Sequence, residues 1–375
     1  MNKLIEAAKT IDTGSKFIRF MLMNKDVEVL RFGYVYEDGD YYFGELATYG
    51  ILPSSYEDIN SWISARRSPI SRRRLSGELN KNLTDLEYLQ VTHAVSLNDT
   101  FWVKEEKSDL TWSKVSPYTN QITDIQSHEM CLGDNVSPEF STNGVFPKCW
   151  INKSDGIYLI KGGSIENNYI EPLLEIASSE VYNSLCSDSV TYSIYNRCST
   201  ITDKSLLFTD ENIGMINLAQ YVRRTKMYLR EIKEFMSNYS AESVELLRSM
   251  LVSDMITMNT DRHLGNIGLY IENDTQKVIG MCKVYDYNKC LIPELTEDTY
   301  KDKSYYKKYI TNQIPRIGNS FLDVAVSVID STIRDKLITL RHNFMLRGLS
   351  EDSWRGEQIK KFVLGNIDLL LSKFN

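Results

Sequence analysis

The sequence contains no C-x-x-C pair, and its six cysteines, Cys131, Cys149, Cys186, Cys198, Cys282 and Cys290, are scattered through 375 residues. Only His128, three residues before Cys131, has ligand spacing to any of them. A structural zinc site and a disulfide framework are therefore both excluded as organising features, and reduced, mostly buried thiols are expected. There is also no uninterrupted apolar run near the eighteen or so residues of a membrane span. The start, M-N-K-L-I-E-A-A-K, places Glu6 and Lys9 where a signal peptide is apolar, so a cytoplasmic protein with no membrane association is expected. Excess positive charge is missing too. A net charge of −7 argues against direct nucleic-acid binding, which depends on a cationic surface. Internal repeats and low-complexity tracts are absent. What remains, 42% hydrophobic and 25% charged residues, is the composition of a globular chain long enough for two or three domains.

One stretch is built for chemistry. Thr260 to Asn266 reads T-D-R-H-L-G-N, after an apolar helical run at 244–258 and before two β-type runs, 267–271 and 278–285, with Glu272-Asn273-Asp274 as the turn between them. Asp286 stands just past the second run. Helix, polar loop, hairpin and a lone acid can aim three polar groups at one point. Phosphoryl transfer needs such a set, since a carboxylate must orient the acceptor hydroxyl and take its proton while oxygen ligands hold Mg²⁺. Asp261 and Asn266 have the D-x-x-x-x-N spacing of a kinase catalytic loop, with Asp261 as base and Asn266 as metal ligand. Asp286 is the second metal ligand in that reading, although Tyr287-Asn288 follows it where an ordinary protein kinase has D-F-G.

The variant D-R-H-x-x-N resembles the catalytic loop of HipA-like serine/threonine kinases and of the phosphoinositide kinases with a related atypical kinase architecture. The run N-T-D-R-H-L-G-N-I-G-L through V-Y-D-Y-N-K-C-L-I-P carries the resemblance over more than thirty residues. It is close over about residues 140 to 295 and looser elsewhere. It implies an α+β, bilobal protein-kinase-like fold, with a β-rich N-terminal lobe, an extra N-terminal α+β region and a helical C-terminal lobe. The expected division is an N-terminal region at 1–135, a nucleotide-binding lobe at 136–209 and a catalytic lobe at 210–375.

Further site residues follow along the chain. Asn143-Gly144, within S-T-N-G-V-F-P-K-C-W, reads as a tight hairpin turn. Its backbone N–H groups can cap ATP phosphates, and the segment is similar to the phosphate-loop region of HipA-like kinases. Lys161 ends the strand G-I-Y-L-I, which matches the V-A-I-K strand bearing an ATP-binding lysine. A helix at 171–185 offers Glu171, Glu175 and Glu180, of which Glu175 best matches the family's lysine-holding glutamate. By order alone, Leu207, Phe208 and Thr209 fall at the interlobe linker, where backbone groups bond adenine. The family also implies ATP and Mg²⁺ as cofactors, a protein substrate with a Ser/Thr hydroxyl, a small antitoxin partner, and autophosphorylation near the phosphate loop, at Ser141 or Thr142. Two alternatives stay open: a lipid or small-molecule kinase sharing D-R-H-x-x-N, and a pseudokinase that binds partners without catalysis.

The remaining chain is read by pattern. Strands are expected at 27–35, 41–46, 100–104, 190–195 and 205–209, and helices at 56–65, 83–94, 213–235 and 240–258. The cluster Arg66, Arg67, Arg72, Arg73 and Arg74 reads as a solvated face paired with acids, and His93 as a packed structural residue. Polar 108–138 is a connection, and 294–309 lies where a kinase receives substrate. Helices at 320–331, 333–345 and 351–373 close the chain, the last capped by Ser350.

Overall fold

The computed structural model describes residues 17–37, 40–67, 84–120, 146, 148–197 and 200–374. Ser141, Thr142, Asn143 and Gly144, together with Arg72 to Arg74, Cys131 and Cys198, lie outside them. The fold is α+β with antiparallel sheets. Its contacts divide the chain into two compact units, one of residues 1–157, 209–216 and 271–278, the other of 158–208, 217–270 and 279–375.

The first unit is built on the sheet β3-β2-β1-β4, with β1 Ile18–Asn24, β2 Val27–Glu37, β3 Asp40–Thr48 and β4 Phe101–Glu105, and every pairing is antiparallel. Helices α1, Ile59–Arg66, and α2, Asp85–Thr92, join this sheet in one core, where Phe20, Phe32 and Phe43 pack with Ile59, Trp62, Tyr88 and Leu89. Each such side chain removed from water contributes about 1.5–3 kcal/mol. Both helices begin later than the pattern predicts, at their caps. Asp58 accepts the Ser61 N–H at 2.9 Å, and Thr84 forms a reciprocal capping box with Glu87. A short helix α3, Trp112–Val115, and strand β5, Lys148–Lys153, also lie in this unit.

Two expectations about this unit meet their outcome here. Arg66 is buried rather than solvated. Its Nη2 lies 2.7 Å from both carboxylate oxygens of Asp99, and its guanidinium sits 4.4 Å over the Trp62 ring. Arg67 pairs with Asp85. His93 is structural: it caps α2 in the left-handed conformation, its Nδ1 is 3.1 Å from the Val103 carbonyl, and burial lowers its pKa.

In the second unit, β6 (Gly156–Lys161), β7 (Ser193–Arg197) and β8 (Thr200–Leu206) form antiparallel pairs in the order β6-β8-β7. Helix α4, Glu171–Leu185, has the predicted bounds. The expected helix over 213–235 is a correction. Ile213–Asn217 is a strand, β9, whose residues 213–216 belong to the first unit, and Asn217 then caps the short α5, Leu218–Val222, by accepting the Gln220 N–H at 2.9 Å. Arg223 leaves that helix in the left-handed conformation, and α6 spans only Leu229–Ser237. Helix α7, Ala241–Thr257, is capped by Ser240 and is buried along most of its length, which is why its apolar residues recur on several faces. Strands β10, Gly268–Glu272, and β11, Val278–Met281, follow. The described C-terminal helices are α8 (Glu297–Lys301), α9 (Lys303–Thr311), α10 (Phe321–Val326), α11 (Ser331–Asn343) and α12 (Trp354–Leu371). Cys149, Cys186, Cys282 and Cys290 are buried thiols. No described helix is long and apolar enough to cross a membrane.

Candidate active site

The second unit alone assembles a polar centre around Lys161. This lysine ends β6, where strand geometry turns it inward, and it is 4% exposed. Its Nζ donates to Glu175 Oε1 at 2.7 Å and to Asp286 Oδ1 at 3.0 Å. Burial works against the ammonium charge, but Asp286 and Glu175 outweigh it and hold the pKa well above the ordinary lysine value. The ammonium also lies 5.2 Å from the centre of the buried Tyr192 ring.

Asp286 is fixed by backbone rather than by a strand. Its φ is +63°, a left-handed conformation that costs a non-glycine residue free energy and persists only when neighbours hold it. Those neighbours are on both sides. The Asp286 N–H donates to Tyr192 Oη at 3.1 Å, and the Tyr287 N–H donates to Glu175 Oε1 at 3.0 Å. Glu175 therefore accepts from Lys161 and from the peptide following Asp286, so one carboxylate ties the lysine to the acid. Tyr287 stacks on Tyr182 with ring centres 3.9 Å apart, which packs the turn against α4.

The loop after α7 is organised by Arg262. Met258 ends the helix in the left-handed conformation, and the Asn259 side chain accepts the Asp261 N–H at 3.1 Å. Arg262 is 2% exposed. Its Nε lies 3.2 Å from both oxygens of Asp254, while Nη1 donates to the Asn266 carbonyl at 2.8 Å and the Tyr285 carbonyl at 2.7 Å. Tyr182 Oη adds a 2.5 Å bond to Asp254. One guanidinium thus joins the backbone of Asn266 to that preceding Asp286. His263 accepts the Gly265 N–H at 3.0 Å, closing the single 3₁₀ turn Leu264–Asn266.

Asn266 Nδ2 donates to the Asp261 carbonyl at 2.9 Å, which leaves the amide oxygen as its outward acceptor. An amide oxygen and the Asp286 carboxylate are the hard oxygen donors that suit Mg²⁺. No cluster of three or more His, Cys, Asp or Glu suited to a metal occurs among the described residues. Asp261 has its pKa raised, chiefly by burial, with His263 opposing and Asp286 adding to the rise. Its carboxylate lies 3.9 Å from both His263 Nε2 and Arg316 Nε.

Lys161, Glu175, Asp286, Asp261 and Asn266 therefore share one unit and are linked through side-chain and backbone bonds. Leu207 and Phe208 follow β8 in this unit, with Phe208 6.2 Å from the ring centres of Tyr270 and Tyr285. Thr209 belongs to the other unit, where it donates to the Leu97 carbonyl. Sequence reasoning missed Tyr192, Asp203 and the Asp254–Tyr182 support. The available signal was register, because Asp203 stands directly opposite Lys161 across β6 and β8.

No protein-family model and no curated protein matches the sequence. The solved structures similar to it include these two. One is the proinflammatory kinase CtkA of Helicobacter pylori, 15% identical, covering 62% of this chain and 92% of that one with a TM-score of 0.48. The other is a chain from the Shewanella oneidensis MR-1 toxin–antitoxin system HipA, HipB and operator DNA complex, 10% identical, covering 94% and 99% with a TM-score of 0.48.

Proposed function

We propose that this protein is an ATP- and Mg²⁺-dependent phosphotransferase that acts on serine or threonine hydroxyls, of the kind its D-R-H-L-G-N loop resembles. The observation that carries the reading is the buried Lys161, bonded to Glu175 and to Asp286 at once. A lysine that merely ended a strand would reach solvent. Here the ammonium is kept charged and aimed by a helix carboxylate, which is what binding α- and β-phosphates requires. Asp286 and the Asn266 amide oxygen would hold the Mg²⁺, which neutralises phosphate charge when bound.

Asp261 is the base in this reading. Its pKa, raised chiefly by burial, makes it a better proton acceptor than a solvated aspartate. Leu207, Phe208 and Thr209 would offer backbone groups to adenine, and Asn143 and Gly144 backbone N–H groups to the phosphates. Autophosphorylation at Ser141 or Thr142, a small antitoxin partner and a cytoplasmic location belong to the same proposal through the sequence resemblance.

The test is transfer of label from γ-labelled ATP with Mg²⁺ to the protein itself and to a panel of protein and lipid acceptors, followed by mass spectrometry. Label on serine or threonine should appear with wild type and fall at least about a hundredfold in Asp261→Ala and Asp286→Asn. Label confined to lipid, or ATP bound with no transfer, would replace this reading with a lipid kinase or a pseudokinase respectively.

A further inference from the structure

Three carboxyl groups and one ammonium meet at the Lys161 centre, and the third carboxyl has no role in the function proposed above. Asp203 lies in the middle of β8 and is fully buried. Its Cα partner on β6 is Lys161 and on β7 is Ile194. Residues directly opposite in an antiparallel pair project to the same face. Neither of its carboxylate oxygens accepts a hydrogen bond from the described residues, the Glu175 carboxyl lies within hydrogen-bonding reach, and the single ammonium is already bonded to Glu175 and Asp286.

Charge counting decides its state. With all groups ionised, the centre would hold one positive and three negative charges, and the uncompensated carboxylate would be Asp203, which accepts no hydrogen bond among the described residues. Glu175 accepts two hydrogen bonds and Asp286 accepts one from Lys161 and is partly open to solvent, so both have partners for their oxygens. Asp203 has neither support. The groups facing it are Glu175 from α4, Lys161 from β6 and Asp286 from beyond β11. Burial and the neighbouring Glu175 push its pKa well above the usual carboxylate range, with Lys161 opposing.

We propose that Asp203 is a positioning residue held as the neutral acid, whose hydroxyl donates to the Glu175 carboxylate and so keeps Glu175 aimed at Lys161. No proton leaves the pair. An ionised Asp203 would compete as a third anion for the lysine and hold it back from phosphate; the neutral acid leaves the ammonium available. The inference rests on Lys161 being the phosphate-binding lysine.

Two measurements test it. The infrared difference spectrum of wild type against Asp203→Asn at neutral pH should show the carbonyl stretch of a protonated carboxylic acid that the variant lacks; carboxylate bands in its place would overturn the proposal. Affinity for ATP with Mg²⁺ should be within about twofold of wild type in Asp203→Asn, whose amide also donates, and about tenfold weaker in Asp203→Ala, which cannot. Equal affinities in the two variants would overturn the positioning role. Failure of wild type to bind ATP would defeat the kinase reading and with it the positioning role, while the infrared band would still decide the protonation of Asp203.

Discussion

Arg262 is the residue on which the most backbone geometry depends, and its loss should be costly in a specific way. The guanidinium is the counter-charge of the buried Asp254 and the donor to two carbonyls that flank the metal-ligand candidates. Arg262→Met leaves the buried Asp254 without its counter-charge, at a cost of about 3–5 kcal/mol. Asp254→Leu in the same chain should recover more than half of that, because an apolar pair of similar volume replaces the ion pair. Urea denaturation of wild type and the two variants measures both numbers, and a single variant within about 1 kcal/mol of wild type would remove the brace. Asp203 makes a separate prediction at this scale. An unfolded aspartate titrates near about pH 3.9, whereas the native one is raised well above that. Between those values the native chain holds one more proton than the unfolded chain. Stability must therefore fall as pH rises through that window, by up to about 1.4 kcal/mol per pH unit. Asp203→Asn should flatten this slope, which denaturation between about pH 5 and pH 7 would reveal. The polar residues of the loop were legible because spacing along the chain encodes them. Asp203 was not, since its meaning comes from the strand opposite, and T-I-T-D-K-S-L alone looks like an ordinary exposed strand.

Among the elements, the caps decide where helices begin, and they explain most differences between pattern and structure. The last helix, read from the sequence as starting at 351 behind Ser350, starts at Trp354 with Ser353 as cap, whose Oγ accepts the Gly356 N–H at 3.0 Å. Ser350 instead supplies its carbonyl to the Ser353 hydroxyl at 2.7 Å. Ser353→Ala should cost about 1 kcal/mol and Ser350→Ala only a few tenths, a contrast that thermal denaturation of the two variants would resolve. Equal losses would return the cap to Ser350. Helix α4 was fully legible because Pro172 sits in its first turn and Leu174, Ala177, Val181 and Leu185 recur at three- and four-residue spacing. The stretch 213–235 was not. I-G-M-I-N has enough apolar residues to extend a helical pattern, and only the alternation and the capping Asn217 distinguish a strand followed by a short helix. The turn after β11 shows a third kind of hidden element. Leu291 and Ile292 are both left-handed, at φ +58° and +59°, and Arg355 of α12 donates to both of their carbonyls. A distant helix thus holds a conformation that the local residues disfavour, which no local pattern could announce.

For the whole molecule, the question is whether the polar centre binds nucleotide, and ligand linkage answers it without requiring turnover. Any ligand that binds the native state alone stabilises it by RT ln(1 + [L]/Kd), about 2.7 kcal/mol at a hundredfold excess over Kd. The Lys161 centre and the Asp261–Asn266 loop belong to the same compact unit, so nucleotide bound there should raise the unfolding free energy of that unit as a block. ATP with Mg²⁺ should produce this shift in wild type. Lys161→Met removes the ammonium that faces phosphate and should abolish most of it, whereas Asp261→Ala, which alters only the base, should keep the shift while losing transfer of label. Asp286→Asn should reduce the extra stabilisation that Mg²⁺ adds to ATP, because it weakens one of the two oxygen ligands. A thermal shift series over these four proteins, with ATP alone and with ATP and Mg²⁺, measures all of this. Equal shifts in wild type and Lys161→Met would mean that nucleotide does not use the buried lysine, and the centre would then be a structural ion-pair cluster.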